Sequence, residues 1–131
     1  NHLAAGLPEP PNVCLQVKIV PDPSKYGWSV SELTANLPQL AQCGQLKIQG
    51  LMTIAPWGLN ATEVFNIFRQ TGELAQRIRQ ERWPNMPMQE LSMGMSEDYQ
   101  LAIQAGATLV RLGRILFGNR STAPFNSEAA K

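Results

Sequence analysis

Over residues 13–20 the chain alternates, with Leu15, Val17 and Ile19 on one side and Cys14, Gln16 and Lys18 on the other. A period of two with frequent β-branched residues, stopped by Pro21, predicts a strand. Ser29 with Glu32 three residues on is a capping-box pattern and predicts a helix start. Pro38 predicts a break near Leu37 and a second short helix from Pro38, ended by Gly44. Residues 48–54 read as a second strand, with Pro56-Trp57-Gly58 as the loop after it. Asn60 and Glu63 repeat the capping pattern. Val64, Ile67, Phe68, Thr71, Leu74, Ala75 and Ile78 then recur at spacings of three and four, the apolar stripe of a helix running to about Arg82. Pro84 and Pro87 break the chain before a third strand over residues 90–93. Ser96 is expected to cap a helix over residues 97–105, with Tyr99, Ala102 and Ile103 facing inward and Gly106 as the stop. Residues 109–112 read as a fourth strand, and a short helix opens near Arg114.

A strand followed by a helix, four times over, predicts an α/β fold with parallel strands and right-handed crossovers. Four such units do not close a barrel, which takes about eight. The chain therefore reads as a small open α/β sheet or as half of a barrel. Residues 1–131 form a single domain on this reading, with the βα units over 13–120 and frayed ends over 1–12 and 121–131.

Bulk composition narrows the function classes. A net charge of +1 gives no broad field toward nucleic acid or anionic lipid. No apolar run approaches the ~18 residues of a membrane span, and the first residues lack the basic and apolar regions of a secretory signal. The chain opens on Asn1 instead of Met, which is read as an internal start. Cys14 and Cys43 have no His or Cys at metal-ligand spacing, so a zinc site is not expected. Free thiols fit a reducing compartment, and the cytoplasm is the expected location.

The candidate chemistry lies at two strand ends. Leu91-Ser92-Met93-Gly94-Met95-Ser96-Glu97-Asp98 and Val110-Arg111-Leu112-Gly113-Arg114-Ile115-Leu116-Phe117-Gly118 each read as a strand running through a Gly/Ser turn into a helix. Two neighbouring helix starts offer free amides and dipoles to one anion. In a βα barrel the loops after the last two strands commonly hold a cofactor phosphate. Ser96 is a candidate phosphate donor or simply a cap. Gly113 and Arg114 are candidate amide donors or simply a tight strand–helix turn. Met52, Met93 and Met95 are soft apolar walls for a ligand or members of the core. Ser92 is a pocket hydrogen-bonding residue or an inward barrel-layer residue. Lys25 and Gly27 shape a loop over the mouth. His2 and the Arg77, Arg79 and Arg82 cluster read as solvated. No phosphate-binding P-loop, dinucleotide GxGxxG or Ser/His/Asp set is present.

Together with Ser24-Lys25-Tyr26-Gly27 and Gly50-Leu51-Met52-Thr53-Ile54, these two segments resemble the YggS/PROSC family of pyridoxal-phosphate-binding proteins, over residues 13–120. The resemblance implies a barrel like the N-terminal domain of alanine racemase, with this chain supplying strands five to eight, the C-terminal half. It implies pyridoxal 5'-phosphate as cofactor and a carrier or regulator role in vitamin B6 and amino-acid homeostasis, without established turnover. The Schiff-base lysine is then expected on the missing N-terminal half, since none of Lys18, Lys25 and Lys47 sits in a matching motif. Arg111 is implied to reach the pyridine nitrogen; a barrel-mouth salt bridge to Asp98 or Glu90 is the alternative. The expected partners are pyridoxal phosphate and the missing half of the barrel, with no nucleic acid and no membrane, and the full-length protein is expected to be a monomer. Alone, half a barrel would aggregate, dimerise or need its other half. Two other functions stay open: a racemase- or decarboxylase-like enzyme on the same barrel, and a barrel for another phosphorylated small molecule.

Overall fold

The alternating and 3/4-spaced segments fold as a parallel sheet with helices against one face, in a computed structural model that describes residues 1–118. The expectations for residues 119–131, the frayed tail included, lie outside the described residues. The strands are β1 (Asn12–Lys18), β2 (Trp28–Ser29), β3 (Lys47–Met52), β4 (Glu90–Met95) and β5 (Leu109–Arg111). The helices are α1 (Val30–Ala41), α2 (Ala61–Gln80), α3 (Tyr99–Gln104) and α4 (Arg114–Phe117). The sheet order is β2-β1-β3-β4-β5, and every pairing is parallel. This is the α/β layout expected from the sequence, with one strand added: the two-residue β2 pairs Val17 with Trp28 and Lys18 with Ser29. A strand that short leaves no periodicity to read.

The apolar stripe of α2 is buried in full: Val64, Ile67, Phe68, Thr71, Leu74, Ala75 and Ile78. Its lower half joins Leu33 and Leu37 of α1 and Val17, Ile48 and Leu51 of the sheet in one core cluster. Its upper half packs Val64 and Phe68 on Met93 of β4 and Ala102 of α3. Because side chains alternate along a strand, the other face of the sheet presents Cys14, Gln16, Met52, Ser92 and Arg111. All five are buried or half-buried.

Both capping boxes form. The Ser29 amide donates to Glu32 Oε2 at 2.8 Å, and the Glu32 amide donates to Ser29 Oγ at 3.2 Å. The Asn60–Glu63 pair repeats this at 2.8 and 3.0 Å. Pro38, by contrast, does not split its helix: α1 runs through it. Pro38 takes one N–H out of the ladder, but Leu33 and Leu37 before it are buried in the core and Leu40 after it packs against the same cluster. Tertiary burial outweighs the lost bond. Residues 1–11 are also tied down instead of frayed at their start: Ala4 is buried in a 3-10 turn, and Asn1 Oδ1 accepts from the Gln45 amide at 2.9 Å. Ile103, expected to face inward, is exposed, because α3 is short and buries only Ala102.

Candidate functional site

At the C-terminal ends of β4 and β5 the chain makes two adjacent turns. The first differs from its sequence reading. α3 starts at Tyr99 with Asp98 at the cap position, and Ser96 is not its cap. The Asp98 carboxylate accepts from the Met95 amide at 2.6 Å and closes the turn itself. Ser96 instead reaches the second turn, where its Oγ accepts from the Ile115 amide at 3.4 Å. A second tie crosses the same gap, an ion pair between Arg114 and Glu97. The two turns are therefore neighbours in space, brought together from residues 19 apart in sequence.

Between and above them lies a cavity of about 580 Å³ lined by Met95, Ser96, Arg111, Gly113, Arg114 and Phe117, with Gly118 at its end. That size falls within the ~300–1,000 Å³ of small-molecule sites. The structure thus brings together Ser96, Arg111, Gly113 and Arg114. Gly113 is the cap residue of α4, and a Cβ there would meet nothing within 4 Å, so its backbone is open to the cavity. The dipole contribution expected of two helix starts is small, because α3 has 6 residues and α4 has 4. Hydroxyl, amide and guanidinium groups supply the donors instead.

Arg111 is half-buried, and the alternative reading of it, a salt bridge to Asp98 or Glu90, is not what the described residues show. Its Nη1 donates to Ser92 Oγ at 2.7 Å and its Nη2 to the Thr53 carbonyl at 3.0 Å. Burial lowers the guanidinium pKa from its ordinary value, and the Asp98 carboxylate acts in the opposite direction. On the same face, burial pushes the Cys14 thiol up, Glu90 adds to the rise and Arg111 opposes it.

The remaining predicted residues divide. Ser92 sits on β4 beneath Arg111. Met52 is half-buried on β3, in register with Gln16 and Ser92 and therefore on the same sheet face as Arg111, but it does not line the cavity. Met93 is a correction: its side chain is fully buried against Val64, Phe68 and Ala102, on the helix side of the sheet. Ser92 and Met93 are consecutive in one strand, so only one of them can face the site. Met95, partly exposed, is the methionine that lines the cavity. The sequence reading missed Thr53 and the Ile115 amide. Both act through backbone atoms, which carry no residue-type signal. Lys25 lines an adjoining cavity of about 530 Å³ that shares Met95 and Arg114.

The donor set suits an anion joined to a flat apolar body: guanidinium, amide and hydroxyl donors beside Met95 and Phe117. A family model described as "Alanine racemase, N-terminal domain" matches residues 1–121. The "Pyridoxal phosphate homeostasis protein" of a Synechocystis strain is 47% identical over 120 residues, covering 92% of this chain and 54% of that protein. Its namesake in Aquifex aeolicus is 36% identical over 109 residues, covering 83% and 47%. The structure of PipY from Synechococcus elongatus with pyridoxal phosphate bound aligns with a TM-score of 0.81 at 46% identity, covering 89% of this chain and 53% of that one. The form without the ligand gives a TM-score of 0.83 at 48% identity, covering 89% and 54%. The chain spans about half the length of the curated relatives it matches.

Proposed function

This chain belongs to the alanine racemase N-terminal domain family, and on that premise we propose that it is the phosphate-holding half of a pyridoxal-phosphate-binding barrel, strands five to eight. The observation that carries this reading is the meeting of Ser96 Oγ with the Ile115 amide at 3.4 Å, at a cavity also lined by Arg111, Gly113 and Arg114. Ser96, the amides of Gly113 and Arg114 and the Arg114 guanidinium would hold the phosphate. Arg111 would meet the pyridine ring, with Met95 and Phe117 as its apolar walls. Met52 and Ser92 line the sheet face beneath.

Bound pyridoxal phosphate supplies an electrophilic aldehyde on an electron-withdrawing ring. What Arg111 does to that chemistry follows from its own protonation. A guanidinium is a donor only and does not surrender its proton near neutral pH, so a ring nitrogen held by it would stay unprotonated. Such a ring would be a weak electron sink, which supports a carrier or regulator of the cofactor, active in vitamin B6 and amino-acid homeostasis, over a versatile catalyst. The lysine that would bond the cofactor lies in this reading on the other half of the barrel. The names of the two curated relatives and the ligand-bound PipY structure support the same assignment.

Titration of the full-length protein with pyridoxal phosphate tests it. Ser96→Ala removes one hydrogen bond to a charged group, worth about 1.5–3 kcal/mol, so affinity should fall by about 10- to 100-fold with the melting temperature little changed. Unchanged affinity would overturn the assignment.

A further inference from the structure

The Arg111 side chain reaches back across two strands, and the way it is held points to the residues beneath it. β5 pairs with β4 at Ser92↔Leu109 and again at Met95↔Arg111, so three steps on β4 face two on β5. The irregularity falls at Met93 and Gly94, where Gly94 takes φ +92°. Its effect is to set Arg111 level with the end of β4 while its guanidinium lies back over Ser92 and the first residue after β3. There Nη1 donates to Ser92 Oγ at 2.7 Å and Nη2 to the Thr53 carbonyl at 3.0 Å. Thr53 is itself fixed twice. Its amide donates to the Ser92 carbonyl at 3.1 Å, and its buried hydroxyl donates to the Val17 carbonyl on β1 at 2.8 Å. The anchor of one cation therefore runs through β4, β3 and β1.

Both acceptors are uncharged. Among the described residues no carboxylate lies within ion-pair distance of Arg111. A half-buried guanidinium normally takes a carboxylate partner to offset lost hydration. Here the positive charge is oriented by neutral acceptors, with Asp98 acting on it only from beyond ion-pair distance, and so stays available to a ligand. Fixing a charged group before the ligand arrives, with acceptors that do not compete for its charge, is how a binding site avoids reorganisation cost.

We propose that Ser92 and Thr53 are positioning residues that hold the Arg111 guanidinium in place for the ring of the ligand, Ser92 through its hydroxyl and Thr53 through a carbonyl locked by its own side chain. The proposal rests on the pyridoxal phosphate reading above. The test is a double-mutant cycle in the full-length protein, read as affinity for pyridoxal phosphate. Ser92→Ala should weaken binding about 5- to 10-fold, and Ser92→Thr, which keeps a hydroxyl, should restore it to within about twofold. In an Arg111→Gln background Ser92→Ala should add less than about twofold, because the group it positions is gone. Thr53→Val, nearly isosteric, should show the same dependence on Arg111. A merely structural role would weaken binding equally in both backgrounds, and that result overturns the proposal, as does full affinity in Ser92→Ala. If Arg111→Gln binds normally while Ser96→Ala does not, the phosphate reading stands and this inference falls. If neither change is felt, both fall.

Discussion

Gly94 shows how much rests on a single backbone position in this site. A Cβ built there would lie 2.6 Å from the Ala102 Cβ and 3.0 Å from the Tyr99 Cα, both on the helix that follows the first turn. The residue also sits at φ +92°, where L side chains are strained. Gly94→Ala therefore combines backbone strain with overpacking and should cost about 2–4 kcal/mol, read from the urea midpoint at constant m. It should also disturb the bulge that seats Arg111. At this scale the candidates were legible where residue type carries a signal. Gly113 and Ser96 stood out because an unhindered turn and a hydroxyl at strand ends suit a phosphate ester, and Arg111 because the family resemblance implied a partner for the pyridine nitrogen. Met93 did not belong with them. Strict alternation from Ser92 places it on the opposite face, and the apolar character shared with Met95 hid that difference. Thr53 was illegible because its contact to Arg111 is a carbonyl, which every residue owns.

Among the elements, α2 and the four longer strands were read more faithfully than β2, the turns or the course of α1. The stripe and cap of α2 were legible from periodicity and the Asn60–Glu63 pair. β2 was not, since two residues hold no period. Nor was the run through Pro38, where local propensity argued for a break and burial of Leu33 and Leu37 decided otherwise. The cap of α1 makes a pH prediction. Hydrogen bonds from the Ser29 amide and hydroxyl hold the Glu32 carboxyl below its ordinary value of 4.5. The folded state thus binds this proton less readily than the unfolded chain does. Its stabilising contribution is present above the unfolded value and is lost as pH falls through the folded one. Glu32→Gln keeps a side chain able to complete the capping box but cannot titrate. The melting temperature of the wild type should fall more steeply below about pH 4.5 than that of Glu32→Gln, with the two close at pH 7. Parallel acid limbs would contradict the assignment. Some acid sensitivity should remain in the variant, since Ser24 lowers the Asp22 pKa in the same way.

The sheet as a whole is open at both sides. At one edge β2 covers only Val17 and Lys18 of β1. At the other, Leu109 and Val110 of β5 are exposed, and so are Ile115, Leu116 and Phe117 just beyond it. Opposite the helices, the sheet face carries Arg111, Ser92, Met52 and Cys14, and among the described residues no second layer lies upon it. Such a face is what a closed barrel turns inward, which supports the reading of this chain as one half of a barrel. The count of four βα units left two readings open in the sequence, a small open sheet and half of a barrel. What the sequence also left open was whether the two late turns meet, since residues 19 apart in the chain must be brought together by the pairing of β4 with β5. The central claim is that this meeting point grips the phosphate. It is tested most directly by comparing, in one equilibrium titration of the full-length protein, pyridoxal phosphate with pyridoxal, which lacks only the phosphate. Loss of several charge-assisted hydrogen bonds should weaken pyridoxal by about 100-fold or more. Equal affinity for the two would contradict the account.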